Sequence, residues 1–157
     1  MPDDPARRSR PFTAAGALFF DSTGRFMLVR PTYKTGWDIP GGYVEQNESP
    51  LAACRREVRE ELGIAPSVGR LLVIDWAPHP DEGDKVLYVF DGGELAPGDL
   101  VAVRLDPGEL AEYAFHSVDE ATSVLVPRLA RRVAAAVRAR HEGLTLYLEH
   151  GQDPDHG

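Results

Sequence analysis

The sequence has very little cysteine and a deficit of positive charge. Cys54 is the sole cysteine, so an intrachain disulfide cannot form, and we expect a cytoplasmic protein. The 17 Lys and Arg residues are outnumbered by 25 Asp and Glu residues, which gives a net charge of −8. A broad nucleic-acid-binding surface needs clustered basic residues, so we expect no nucleic-acid polymer as a partner.

Long hydrophobic runs are also missing. The apolar stretch 11–20 follows three arginines, as in a signal peptide, but Asp21 ends it and no small-residue cleavage site follows. A membrane-spanning helix takes about 20 residues, which is longer than this stretch. We therefore expect neither a signal peptide nor a membrane partner.

The composition is typical of one ordinary globular domain. A chain of 157 residues can bury about two-thirds of its unfolded surface, so no disulfide or structural metal is needed for folding. Residues 1–10 are polar and carry both signs of charge, which predicts a flexible lead-in. We expect the domain to span 11–150 and a loose tail to occupy 151–157.

The order of apolar and turn-forming residues predicts a mixed α/β fold with a β-sheet packed between helices. Ser49 and Pro50 are typical of a helix start, and Gly63 is typical of a helix end. Leu51, Cys54 and Val58 would face the core of that helix, together with Leu62. Strands are predicted at 12–21 and 25–31, joined as a hairpin, at a short segment within the glycine-rich loop 32–47, and at 70–76, 85–90 and 112–116. A short helix is predicted from Ser117 and a longer one over 127–141.

Acidic residues crowd one flank of the predicted helix. Glu57, Glu60 and Glu61 stand three and four positions apart and lie beside the apolar stripe. Like charges at this spacing destabilise a helix unless a cation compensates them. Neighbouring arginines would do so in part, and Mg²⁺ or Mn²⁺ would do so while leaving positions open for water and phosphate. The alternative is a solvated face of Glu–Arg pairs.

The surrounding residues favour the functional interpretation. Residues 42–64 read GYVEQNESPLAACRREVREELGI, with Gly36-Trp37 and Ile39-Pro40-Gly41 just before them. This segment resembles the signature of the Nudix hydrolase family, in its single-domain, MutT-like form. The positions that match are Gly42, Glu48, Arg56-Glu57-Val58, Glu60-Glu61 and Gly63-Ile64. The resemblance covers about residues 12–141 and implies an αβα sandwich.

The family resemblance also implies an activity and a metal. Its members hydrolyse a diphosphate linkage in nucleoside diphosphate derivatives, using one to three divalent ions. By resemblance, the metal ligands are Glu57, Glu60 and Glu61, with the carbonyl of Gly41, and the ion is Mg²⁺ or Mn²⁺. Glu48 and Arg56 then hold the loop and helix in register, and Gly42 and Gly63 complete the structural part of the motif. The general base is Glu60 or Glu61, with Glu109 and Glu112 as weaker candidates.

Residues that bind the substrate are less sharply marked. Trp37 and Tyr33 are candidates for stacking on a base or for packing, and Arg30 and Lys34 for phosphate binding or solvation. Pro80 lies sixteen positions past Ile64, where a proline accompanies ADP-ribose-type substrates in resembling families, although a turn alone also favours proline.

Three functional alternatives follow. The leading one is a metal-dependent hydrolase of a modified nucleoside triphosphate or a nucleotide sugar, with a small-molecule nucleotide as its partner and a homodimer compatible with the family. The second is a ligand sensor of the same fold, although such proteins typically lose the glutamates retained here. The third is an isoprenoid diphosphate isomerase, which needs a nucleophilic cysteine. Cys54 is predicted to be buried and inert, and His79 and His116 lack partners at metal-ligand spacing.

Overall fold

The computed structural model describes residues 2–155, in which strands and helices alternate along the chain. Within this range, seven strands and four α-helices follow a short 3₁₀ turn at Pro5–Arg7. The strands are β1 Phe12–Phe20, β2 Phe26–Pro31, β3 Gly41–Tyr43, β4 Leu71–Trp76, β5 Lys85–Glu94, β6 Leu110–His116 and β7 Leu146–Glu149. The helices are α1 Pro50–Leu62, α2 Pro97–Ala102, α3 Val118–Val124 and α4 Pro127–Glu142. None of the described helices is long and apolar enough to cross a bilayer.

All seven strands of the described chain form one mixed sheet. Its order is β6-β2-β1-β5-β4-β7, with β3 pairing separately with β1. The β1–β5 and β4–β7 pairs are parallel, and the other pairs are antiparallel. The predicted hairpin of β1 and β2 is therefore confirmed.

Both faces of the sheet are covered, which explains why β1 is almost continuously apolar. Ala17 and Phe19 belong to a core that α1 closes on one face. Leu18 and Phe20 belong to a second core that α3 and α4 close on the other face. Side chains alternate along a strand, so one strand supplies both cores. The αβα sandwich is confirmed.

Helix α1 follows its sequence signals closely. The hydroxyl of Ser49 accepts a hydrogen bond of 3.1 Å from the Ala52 N–H, which satisfies one of the free amides at the helix start. Gly63 ends the helix at φ 69°, in the left-handed region that glycine tolerates. Cys54, Val58 and Leu62 are buried, so the predicted core face is confirmed.

Two elements, α2 and β7, were not predicted from the sequence, and β5 extends beyond its predicted end. Helix α2 buries none of its residues, so it carries no apolar period, and its first turn begins at Ala96 without a side-chain cap. Strand β7 has only four residues and gains its order by docking parallel to β4. Strand β5 continues to Glu94, beyond the predicted end at residue 90, through a bulge that includes Gly92 and Gly93.

The two ends of the described chain differ from one another. Residues 2–10, at the predicted lead-in, are exposed. Gly151, the first residue of the predicted loose tail, is buried, and its N–H donates a hydrogen bond of 3.0 Å to Asp75 Oδ1. That contact ties the chain to β4 at residue 151. Residues 156 and 157 of the predicted tail lie outside the described residues.

Substitution of Leu62 tests whether α1 is held by its apolar face. Leu62 is fully buried, so Leu62→Ala is expected to lower the free energy of unfolding by about 2–5 kcal/mol through lost burial and a cavity. The matched control is Leu144→Ala, since Leu144 is 42% exposed. Urea unfolding measures both variants, and equal losses would contradict the assigned packing.

Candidate active site

Arg56 ties helix α1 to the loop that precedes it. Its Nε and Nη2 donate to the two carboxylate oxygens of Glu48 at 2.8 and 3.0 Å, and Nη2 also donates to the Tyr43 carbonyl at 3.1 Å. Its Nη1 donates to Glu57 at 2.9 Å and to Glu60 at 3.3 Å. The side chain of Arg56 is 20% exposed, so these bonds are partly shielded from water. One guanidinium therefore connects strand β3, the loop and the acidic flank.

This arrangement stabilises the charged form of Glu48. Side-chain hydrogen bonds from Arg56, followed by the backbone bond from Glu45, lower the pKa of Glu48 to about 2. Hydrogen bonds to Glu48 and then to Glu57 raise the pKa of Arg56 above its ordinary value, against the effect of burial. Glu48 therefore acts as a permanently charged anchor for Arg56 near neutral pH.

Glu61 is the buried member of the acidic flank, with 5% of its surface exposed. It accepts a hydrogen bond of 2.8 Å at Oε1 from the Gly41 N–H. Burial raises the pKa of Glu61 to about 8 against this hydrogen bond, with further contributions from the charges of Glu57, Glu109 and Asp38. Burial likewise raises the pKa of Glu57, although Arg56 opposes the shift.

Two glycines of β3 allow close packing on either side of the strand, Gly42 against α1 and Gly41 against β1. A Cβ on Gly42 would lie 2.5 Å from Cδ of Glu57, so only glycine lets that carboxylate rest against the strand. A Cβ on Gly41 would lie 2.3 Å from the Ala15 carbonyl oxygen, at a φ of 151°. The pair Gly41-Gly42 therefore fixes where the carboxylates meet the sheet.

The donor set on this flank matches a hard divalent cation by its chemistry. Glu57, Glu60 and Glu61 supply carboxylate oxygens, and the Gly41 carbonyl would add another, which are ligands that Mg²⁺ and Mn²⁺ prefer. Within residues 2–155, no three His, Cys, Asp or Glu side chains already converge as a ligand set. Arg56 holds Glu57 and Glu60, and Gly41 holds Glu61. Metal binding by these residues stays a prediction.

A cleft of about 370 Å³ opens beside the glycine pair, on the α4 face of the sheet. Its lining includes Gly41, Gly42, and the predicted substrate-side residues Tyr33, Lys34 and Trp37. Lys34 pairs with Asp38 at 2.7 Å. Trp37 packs edge-on against His116 at a centroid distance of 5.4 Å, so it is at once a packing residue and a wall of the cleft.

The other substrate-side candidates do not line this cleft. Arg30 on β2 forms an ion pair with Glu112 on β6 at 3.0 Å, so each charge already has a partner of opposite sign. Pro80 is exposed in the turn between β4 and β5, where a β-bridge joins His79 to Gly83. Glu109 and Glu112 are the two weaker candidates for the general base. Of these two, Glu109 is the one whose charge contributes to the raised pKa of Glu57 and of Glu61.

Sequence analysis missed several residues that complete the cleft. Tyr43 and Lys85 lie at one end, where both bond to Glu82. Arg128 and Arg132 of α4 lie in the cleft as well. No motif marks these residues, because they come together only through sheet pairing and the packing of α4. Arginine within the apolar stripe of α4 is the one signal that sequence offered.

The cysteine and histidine predictions agree with the structure. Cys54 is buried, and burial raises the pKa of its thiol to about 12. His79 Nδ1 accepts a hydrogen bond from the Asp81 N–H at 3.1 Å, and His116 Nδ1 lies 3.2 Å from the Ala114 carbonyl. Both rings are therefore engaged locally.

Comparison with known proteins agrees with this geometry. The NUDIX domain model matches residues 10–139, so the chain belongs to the Nudix family. Over 90 residues it is 38% identical to an ADP-ribose pyrophosphatase of Methanocaldococcus jannaschii, covering 53% of each chain. Over 52 residues it is 40% identical to an RNA pyrophosphohydrolase of Halorhodospira halophila, covering 33% of this chain and 29% of that protein. The chain thus matches about a third to a half of these relatives' length.

Solved structures extend the likeness over nearly the whole chain. The MutT protein from Methanosarcina mazei Go1 aligns with a TM-score of 0.69 and 27% identity, covering 87% of this chain and 98% of that one. The fold and the family therefore agree.

Replacement of Glu48 tests the Arg56 anchor through pH. The pKa of Glu48 is lower in the folded than in the unfolded protein, so its contribution is present above its ordinary value of 4.5 and is lost as pH falls toward about 2. Glu48→Gln is expected to lower the free energy of unfolding most at about pH 6, with a smaller difference at about pH 3. Urea unfolding across this range measures it. Glu45→Gln is the control, because Glu45 is 71% exposed and 3.8 Å from Arg56. A pH-independent difference for Glu48→Gln would contradict the anchor.

Cys54 should be chemically inert in the folded protein. Because its thiol is buried and its pKa is about 12, iodoacetamide at about pH 8 is expected to leave native Cys54 unmodified. The same reagent should modify the urea-unfolded chain quickly, and mass spectrometry measures both. Rapid modification of the folded chain would show that the thiol is accessible.

Proposed function

We propose that this protein is a divalent-metal-dependent pyrophosphohydrolase that cleaves a diphosphate linkage in a nucleoside diphosphate derivative. The observation that carries this proposal is the contact between the α1 carboxylates and the Gly41-Gly42 strand at the edge of the cleft. It joins a cation-attracting flank to a cavity of the size that small ligands occupy. The family match over residues 10–139 supports the same reaction class.

In this proposal Glu57, Glu60 and Glu61 hold Mg²⁺ or Mn²⁺ with the Gly41 carbonyl. The bound cation would neutralise phosphate charge and lower the pKa of attacking water. Glu60 or Glu61 accepts the proton of that water, and Glu109 is close enough to influence both Glu57 and Glu61 electrostatically. Arg56 acts as a positioning residue, since it orients Glu57 and Glu60 from outside the cleft.

The substrate side of the proposal rests on the cleft and on the named relatives. Lys34 and Lys85 bring positive charge to the phosphate end, and Trp37 offers an aromatic wall for a base. The relatives named ADP-ribose pyrophosphatase and RNA pyrophosphohydrolase share pyrophosphate hydrolysis in their names, and the first name specifies a small nucleotide sugar. We infer a small-molecule nucleotide as the partner. Cytoplasmic location and a homodimer remain predictions.

Product identification tests the proposed reaction. The protein is incubated with Mg²⁺ and a panel of nucleoside triphosphates, oxidised nucleotides and nucleotide sugars, and products are identified by mass. Nucleoside monophosphate with pyrophosphate, or with a sugar phosphate, is the expected result, and EDTA should abolish it. Tight binding without turnover of any member would instead support the ligand sensor.

Charge-neutral replacement of the acidic flank tests the residue roles. Glu60→Gln and Glu61→Gln are each expected to lower turnover by several orders of magnitude, because the amide no longer binds the cation or accepts a proton. Steady-state kinetics with Mg²⁺ measures this effect, and circular dichroism checks the fold. Glu142→Gln on α4 is the matched control, since Glu142 is 51% exposed and pairs with Arg138. Unchanged turnover in both flank variants would overturn the assignment.

A further inference from the structure

A buried ion pair lies on the α4 side of the cleft, away from the carboxylates of α1. Asp75 of β4 is fully buried, and the side chain of Arg132 of α4 is 9% exposed. Arg132 Nε donates to Asp75 Oδ2 at 2.6 Å, and the Gly151 N–H donates to Asp75 Oδ1 at 3.0 Å. Both carboxylate oxygens of Asp75 are therefore occupied, and the arginine is held by a single edge nitrogen.

The two terminal nitrogens of Arg132 carry N–H groups that donate to no atom of the described residues. Within residues 2–155, the bond from Nε to Asp75 is the one hydrogen bond that this guanidinium makes. Arginine carries five N–H donors, so the donors on the two terminal nitrogens remain free for another acceptor. Arg132 also lines the cleft, so its free edge faces the cavity rather than the protein interior. Among the described residues, Arg131 Nε is the fully buried side-chain nitrogen without a partner, so the terminal nitrogens of Arg132 are open to the cleft. A ligand in the cleft that accepts hydrogen bonds can therefore meet them.

The sheet register gives the distance from the Arg132–Asp75 pair to strand β3. The α1 carboxylates contact β3, and the proposed function places the phosphates of the substrate there. Tyr43, Ala14, Leu87 and Asp75 pair in one row across β3, β1, β5 and β4. Neighbouring strands lie 4.7–4.9 Å apart, so three spacings separate the two ends by about 14 Å. The carboxylates of α1 touch β3 at the other end of this span, through Gly41 and Gly42. Arg132 is therefore placed to meet the part of a substrate that is remote from its phosphates.

The surroundings of Arg132 favour a neutral acceptor over an anion. Asp75 already balances its charge, and the nearby lining is apolar, from Leu87, Val89 and Leu129. Arg128 also lines the cleft, but its Nη1 donates to the Pro78 carbonyl at 3.0 Å. An apolar stretch of the cleft with one fixed pair of donors suits a nucleobase edge that presents two adjacent acceptors.

We propose that Arg132, held by Asp75, selects a base with an acceptor pair, as guanine presents with O6 and N7, over adenine. Arginine makes two parallel bonds to that guanine edge, whereas adenine places its N6 donor group against the guanidinium. This inference rests on the proposed function for the orientation of the substrate. It names a specificity-determining residue that no part of the signature segment contains.

Equilibrium binding separates this inference from turnover. Titration calorimetry with GDP and with ADP, each with Mg²⁺, is expected to show about a 10- to 100-fold preference for GDP in the unaltered chain. Arg132→Met should weaken GDP binding to the level of ADP and leave ADP binding nearly unchanged. The matched control is Arg138→Met on the same helix, which removes a 57% exposed arginine and should keep the preference.

A second variant guards against misfolding, because Arg132→Met leaves Asp75 buried without its partner. Arg132→Lys keeps a cation beside Asp75 but cannot form two parallel bonds, so it should retain the fold and lose most of the preference. Equal affinity for GDP and ADP in the unaltered chain, or a preference that survives in Arg132→Lys, would overturn the inference. If the unaltered chain binds GDP with this preference but turns over no substrate, the proposed function alone would be overturned.

Discussion

The ion pair between Arg56 and Glu48 is the interaction on which the site depends. Glu48 accepts two hydrogen bonds from Arg56, and the remaining donors reach Tyr43, Glu57 and Glu60. The guanidinium thus fixes helix α1 against strand β3 and partly offsets repulsion among the glutamates. Without that connection, Glu57 and Glu60 would lose the guanidinium that holds them, and the loop would lose its ion pair to α1, whereas Glu61 would keep its bond to Gly41.

The sheet connects the acidic flank of α1, which contacts β3, with the Arg132–Asp75 pair on β4. Because residues paired across strands share a face, Tyr43, Ala14 and Leu87 line one cleft, and the next residue of the row, Asp75, lies buried beneath Arg132 of the cleft wall. Acidic groups gather near β3, and the Arg132–Asp75 pair lies near β4. The two faces of the sheet are used differently: α1 brings the carboxylates to the strand edge from one face, and α4 walls the cleft on the other. A substrate with an anionic end and a neutral, planar end matches this division of charge.

Sequence was most informative where local signals coincide. Ser49, Pro50 and Gly63 predicted the ends of α1. The spacing of its glutamates and apolar residues predicted its acidic flank and its core face without knowledge of any tertiary contact. The fold, the family and the acidic flank followed from such local patterns. Sequence could not place Arg132 beside Asp75, since 57 positions separate them and only the packing of α4 on β4 brings them together. It also could not separate Glu109 from Glu112, because their surroundings depend on the pairing of β6 with β2. The short elements α2 and β7 were not predicted, because α2 buries none of its residues and β7 is ordered by pairing with β4.

The proposed reaction requires that the acidic flank of α1 bind a divalent cation for hydrolysis at phosphorus. Electron paramagnetic resonance of Mn²⁺ titrated into the protein tests it most directly, because free and bound Mn²⁺ are counted without any assumption about the substrate. We expect bound Mn²⁺ that Mg²⁺ displaces and that is lost in Glu57→Gln, where the carboxylate beside Gly42 is removed. Equal Mn²⁺ binding in the variant, or none in the unaltered chain, would contradict it.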